Sequence, residues 1–230
     1  MRKRESCILK FTTLTAVAMS QIFEFLFAQY ATYQSLDIFL EITGVVFGLL
    51  SVWLAKKNHI GVFPTGMIST SIYVYLLLKW GLVGDMLINA YYFGMSVYGW
   101  VIWTQVNDQQ QTTPISRINK QEWRYLLLLL VGSLGFVYGV YQWFGLWNSS
   151  TAVIDTLTTA IFFSGMWLMA LRKIENWIFW IVGDIISVPL YLFKGFSFTS
   201  LQYLIFTFIA IYGYLEWKKI LDKQPATVRK

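Results

Sequence analysis

Apolar residues in this chain come in blocks of about twenty, the length a helix needs to cross a hydrocarbon core about 30 Å thick at about 1.5 Å per residue. Seven such blocks stand at roughly 36–56, 60–79, 82–104, 124–146, 152–172, 174–194 and 198–218. The pattern predicts α-helices throughout, because a backbone facing lipid must bond within its own segment and the alternation of a barrel strand is absent from these blocks. A further apolar stretch, 8–30, is interrupted by Lys10, Gln21 and Glu24, so it either spans or lies in the interface. No convincing cleavage site follows it, and it reads as retained. Between the third and fourth blocks, "TQVNDQQQTTPISRINKQE" carries Pro114 and no apolar period, and reads as a loop.

The two halves of the pattern are related. Sliding the second back by 114 positions, without a gap, lays Trp167 on Trp53, Gly195 on Gly81, Tyr212 on Tyr98, Gly213 on Gly99 and Trp217 on Trp103, with Asp155 on Glu41. Trp and Gly coincidences at one offset are much rarer than matched Leu or Val. The fourth block has no counterpart, and a single intervening span restores both triplets to the same orientation. The expected fold is therefore an all-α integral membrane protein: a seven-span 3+1+3 parallel repeat of two three-helix bundles joined by a linker helix, plus the N-terminal helix. Its segments would be 1–35, a first unit at 36–104, a cytoplasmic loop at 105–123, the linker span at 124–146, a second unit at 150–218 and a basic cytoplasmic tail at 219–230.

Composition agrees with a membrane protein. The 230 residues are 57% hydrophobic and 13% charged, with a mean hydropathy of +0.54. The net charge of +6 resides in short clusters between apolar blocks, which argues against a nucleic-acid partner. Lys56, Lys57, Arg117, Lys120, Arg124, Arg172, Lys173 and the tail from Lys218 fall on one set of alternate loops, and Lys79 and Lys194 on the other. The first side is expected to be cytoplasmic, with the C-terminus inside. Cys7 and His59 are each the sole residue of their kind, so neither a disulfide within the chain nor a Cys-pair metal site is available.

Candidate chemistry centres on "NWIFWIVGDIIS", residues 176–187. Trp177, Trp180, Asp184 and Ser187 follow helical spacing and form one stripe, with Asp184 about 15 Å deep, near the midplane. A carboxylate there is a functional candidate by default; the competing reading is helix glue, a protonated Asp bonded to a neighbouring hydroxyl. Asn89, Tyr92 and Ser96 in the third block, Gln202, Tyr203 and Thr207 in the seventh, and Thr70 and Tyr73 in the second offer polar groups at similar depth. Pro64 and Pro189 are expected to kink the second and sixth helices. Indole faces, amides, hydroxyls and one carboxylate suit a small, flat, cationic molecule bearing hydroxyls. No Ser/His/Asp set, HExxH, P-loop or metal-spaced cluster supports an enzyme, and no cofactor is expected.

With "VYGWVIW" ending the third block, "IENWIFWIVGDIISVPLYLFKG" across the sixth and "SLQYLIFTFIAIYGYLEW" in the seventh, the chain resembles the PnuC family of bacterial nicotinamide riboside transporters, a fold related to the SWEET sugar transporters. The resemblance covers about residues 36–218. It implies an occluded site near a pseudo-two-fold axis, facilitated diffusion through the bacterial inner membrane, trapping by a cytoplasmic riboside kinase, and a homotrimer. Trp177 and Trp180 match the family's tryptophan pair and would stack on or enclose the pyridinium. Asn89, Gln202 and Asp184 would bond the carboxamide or ribose hydroxyls, with Tyr73, Tyr92, Tyr203 and Thr207 as second choices. Relatives often carry Asn where this chain has Asp184 and Ser96. The alternatives are a transporter of the same build for a sugar, another vitamin or a nucleoside, and a small-molecule receptor that does not transport.

Overall fold

The computed structural model describes residues 34–81, 83–105, 113–145, 147, 150–193 and 197–224. The expected N-terminal helix and the end of the basic tail lie outside the described residues. Seven α-helices occupy the described chain: α1 (Ser35–Lys56), α2 (Val62–Lys79), α3 (Val83–Thr104), α4 (Lys120–Trp143), α5 (Ala152–Ala170), α6 (Asn176–Phe193) and α7 (Ser197–Lys223). The chain divides into two compact units at Leu40 and Glu41. The described part of the first is the opening of α1; the second holds the rest of α1 and all the other helices.

By length and composition, α1, α2, α4, α5 and α6 are each long and apolar enough to cross a membrane. α3 and α7 have the length, at 22 and 27 residues, but hold more tyrosine and polar side chains. The arrangement of side chains identifies the solvent. On α6, Ile178, Val182 and Ile185 face outward, Ile185 54% exposed, while Asp184, Ser187 and Trp177 are buried. That is the reverse of a helix on a soluble protein and is what a bilayer selects. This is a multi-pass membrane protein.

Helix ends depart from the expected boundaries for local reasons. α4 starts four residues early because Asn119 and Glu122 form a capping box: Asn119 Oδ1 accepts from the Gln121 and Glu122 amides at 2.9 Å, and Glu122 Oε2 accepts from the Asn119 amide at 2.8 Å. α7 continues to Lys223, so Lys218 and Lys219 ride on its last turns rather than in a tail. The expected kink at Pro64 is overturned. α2 begins at Val62, so Pro64 sits in the first turn, where its missing N–H belongs to the unbonded set of any helix start. Pro189 does lie inside α6.

Packing is closest where two glycines admit large rings. A Cβ on Gly99 would come within 2.3 Å of the Phe63 ring, and one on Gly213 within 2.6 Å of the Trp177 ring. Both rings are fully buried. Phe63 meets Trp103 edge-on at 4.9 Å and 88°, and Trp177 meets Trp217 edge-on at 5.6 Å and 88°. Each partner in the second set lies 114 positions after its counterpart in the first. Gly213→Ala is expected to destabilise by about 1–3 kcal/mol through overpacking, lowering Tm by roughly 2–10 °C in a thermal scan of the solubilised protein. Gly139→Ala, where a Cβ meets nothing within 4 Å, should not lower it.

Candidate binding site

A cavity of about 400 Å³ lies among α1, α2, α3, α5, α6 and α7, a size suited to a small molecule. α4 contributes no lining residue. α1 approaches closely through Gly44 and Gly48, where a Cβ would meet Tyr73 and Ser69 at 3.1 Å. Two hydrogen bonds tie it to α2: Ser69 Oγ donates to the Gly44 carbonyl and Ser51 Oγ to the Val62 carbonyl, both at 2.7 Å.

The structure brings Trp177, Trp180, Asp184, Asn89, Gln202, Tyr73, Tyr92, Ser96, Tyr203 and Thr70 to this one cavity. It does not bring Ser187 or Thr207 there. Ser187 is buried off the lining, and the Thr207 hydroxyl donates to the Tyr203 carbonyl at 2.8 Å. Sequence reasoning missed the α1 wall and the α5 wall of Phe162, Met166 and Met169. A signal existed for both: Gly44, Gly48 and Ser51 form a helical stripe, and the 114-residue offset lays Phe162 on Gly48.

Hydrogen bonding inside the cavity is unevenly satisfied. Thr70 Oγ1 donates to the Gly66 carbonyl at 2.8 Å, Ser96 Oγ to the Tyr92 carbonyl at 2.8 Å, and Asn89 Nδ2 to the Asp85 carbonyl at 2.9 Å. These side chains spend a hydrogen on their own helices and keep oxygen lone pairs for a guest. The indole N–H groups of Trp177 and Trp180 are buried without partners. Asp184 is only 3% exposed, and among the described residues no donor or cation pairs with its carboxyl group. Among the described residues no Lys, Arg or His lines the cavity. Buried polar groups left open in this way call for a ligand or ordered water.

The two tryptophans have different surroundings. Trp177, 1% exposed, is committed to Gly213 and Trp217 and forms part of the floor. Trp180 forms a wall, stacked on Phe162 at 5.5 Å and 29°. Phe162 in turn stacks on Tyr203 at 5.9 Å and 12°, and Tyr203 on Tyr191 at 5.0 Å and 30°. Tyr92 leans toward Trp180 at 6.5 Å. Three rings in file behind it hold Trp180 in one orientation, so a flat ligand meets a surface that is already ordered.

Residues 38–219 match the family described as nicotinamide mononucleotide transporter. The nicotinamide riboside transporter PnuC of Haemophilus influenzae is 30% identical over 207 residues, 86% of this chain and 88% of that protein. The PnuC of Escherichia coli is 23% identical over 210 residues, 77% and 84% of the two chains. The riboflavin/roseoflavin transporter RibM of Streptomyces davaonensis is 21% identical over 206 residues, 82% and 92% of the two chains. A crystal structure of the vitamin B3 transporter PnuC shares the fold, with a TM-score of 0.63 and 23% identity, over 88% of this chain and 91% of that one. On the span of that family match, the chain belongs to the nicotinamide mononucleotide transporter family.

Proposed function

We propose that this protein carries nicotinamide riboside across the bacterial cytoplasmic membrane by facilitated diffusion, through alternating access to the central cavity. The observation that carries this reading is the unpaired, buried Asp184 beside the ordered Trp180 wall. A pyridinium supplies both the flat π-face and the positive charge that such a pair lacks. The family's name refers to the mononucleotide, and the cavity argues against it as substrate. A phosphate would enter a chamber whose described lining holds an acidic side chain and no basic one, at a desolvation cost that none of the described lining residues offsets.

The parallel 3+1+3 architecture is part of the same reading. It is supported by contacts that repeat at an offset of 114: Phe63 on Gly99 and Trp177 on Gly213, Phe63 against Trp103 and Trp177 against Trp217. The absence of α4 from the cavity lining supports its role as linker. The basic loops favour a cytoplasmic C-terminus, so a riboside kinase inside the cell would trap the product. A homotrimer is the assembly that the family resemblance implies.

The test is uptake of labelled nicotinamide riboside into proteoliposomes under competition. Unlabelled riboside should abolish uptake, while a tenfold excess of the mononucleotide, riboflavin, thiamine or sucrose should leave it within a factor of two. An ionophore that collapses ion gradients should not slow it. Competition by riboflavin equal to that by the riboside would favour riboflavin transport, the activity for which the Streptomyces relative is named. Binding without accumulation in the vesicle would mark a receptor.

A further inference from the structure

The turns after α1 and α5 hold the two described non-glycine residues with left-handed backbone, Asn58 (φ 53) and Arg172 (φ 59), 114 positions apart. They touch. Arg172 Nε donates to Asn58 Oδ1 at 3.0 Å, its Nη1 donates to the Thr113 carbonyl, and its guanidinium lies 4.3 Å from the centre of the Trp103 ring. All three partners lie outside the α5–α7 triplet. Trp103 and Trp217, also 114 positions apart, meet at 5.8 Å, and Trp217 Nε1 donates to the Ala55 carbonyl at 2.9 Å. Where two related triplets pack around an axis, a residue meets its own counterpart only on that axis. Both pairs therefore mark its course at this end of the bundle.

The same place is the floor of the cavity. Ala55, Val62, Met169, Trp177 and Ala210 line the cavity and also belong to the buried cluster that holds Phe63, Trp103, Ile115 and Trp217. Ile115 is 1% exposed although it belongs to the segment between α3 and α4. That segment is fastened to the α5–α6 turn. The Ser116 amide donates to the Arg172 carbonyl at 3.2 Å, the Ile174 amide to the Ser116 carbonyl at 3.0 Å, and the Ile118 amide to Glu175 Oε2 at 3.1 Å. Lys173 pairs with Glu122 at 2.8 Å. A solute leaving the cavity toward this end has to part Arg172 from Asn58 and Trp103 and lift Ile115. Burial pulls the Arg172 pKa down to about 10, so the group stays charged at neutral pH while giving up hydration that it regains on release. A latch of that kind closes without locking.

We propose that Arg172 is the latch, and the 113–119 segment the bar, of the cytoplasmic gate of the transport cycle. The inference rests on the transport reading above, and its test separates the two. With Cys7 replaced by serine, Asn58→Cys and Arg172→Cys are introduced together, the protein is reconstituted, and the pair is bridged with a short bifunctional thiosulfonate reagent. Bridging should cut initial riboside uptake at least tenfold, reduction should restore it, and riboside binding by titration should stay within a factor of two. Each single-cysteine variant should show the same uptake before and after identical treatment. Bridged protein that transports at the reduced protein's rate overturns the gate. A second readout needs no transport. In a Cys7→Ser, Ala55→Cys protein, Arg172→Gln should speed labelling by a membrane-impermeant maleimide from the cytoplasmic side at least fivefold. An unchanged labelling rate overturns the latch even if the substrate proves to be another solute. If the unmodified protein neither binds nor carries the riboside while labelling accelerates as expected, the substrate reading fails and the gate stands.

Discussion

Trp180→Ala is expected to weaken nicotinamide riboside binding about 10- to 100-fold in a calorimetric titration, with little loss of stability. Stacking a flat ring on an aromatic side chain contributes about 1–3 kcal/mol, and a cation over an indole about 0.5–2 kcal/mol; the two overlap, so about 1.4–2.8 kcal/mol is the sum expected, one to two decades in Kd. The cost of ordering the indole is met before the ligand arrives, because Phe162, Tyr203 and Tyr191 are stacked in file behind it. Trp180→Phe keeps a smaller π-face and gives up the unpartnered N–H, so it should recover part of the affinity. Trp177→Ala should behave differently. That ring is buried against Gly213 and Trp217, and its removal opens a hole worth about 3–5 kcal/mol of stability. Thermal melts and titrations on the two variants therefore diverge: Trp177→Ala moves Tm, Trp180→Ala moves Kd. If Trp180→Ala bound as tightly as the parent, the aromatic wall would not be where the ring docks.

The sequence displayed the helices plainly, because lipid imposes a minimum apolar length and the seven blocks had no other use. It also displayed matched Trp and Gly positions at an offset of 114, and at that offset lie two contacts it did not name, Phe63 on Gly99 and Trp177 on Gly213. Helix starts were less legible. Asn119 and Glu122 were visible as polar residues in a loop, but a capping box acts only once both reach each other's backbone. The site was legible where its residues were chemically unusual, as with Asp184 and Trp180, and hidden where they were ordinary. Phe162 and Met166 look like any apolar residues of a membrane helix, and only packing decides that they face the cavity rather than lipid. Ser187 shared a stripe with Asp184 on paper, yet it falls beyond the lining one turn further along α6. Ile115 was the least legible of all. It lies in a stretch whose composition reads as solvent loop, and it is buried only because the chain on either side is pinned to the α5–α6 turn.

Asp184→Asn tests which property of the guest the cavity reads. The side chains have nearly the same shape, so packing is retained and the amide still offers an oxygen acceptor; what disappears is the ability to ionise against a cationic guest. Because the carboxyl group is buried with no cation or donor from the protein among the described residues, exchanging it for an amide should leave Tm unchanged or raised, the sign expected when a buried group that can ionise only against a partner is replaced by a neutral one. Affinity should move the other way. Hydrogen bonds and contacts to a charged group contribute about 1.5–3 kcal/mol, so the pyridinium form of the riboside should bind roughly 10- to 100-fold more weakly to the variant. The reduced dihydronicotinamide riboside has the same sugar and carboxamide but no ring charge, and its affinity should change less than threefold. Equal losses for both ligands would assign Asp184 to the ribose hydroxyls instead of the ring. No loss for either, together with a lower Tm, would return it to the role of helix glue, and the electrostatic case against a phosphorylated substrate would lose its only negative charge.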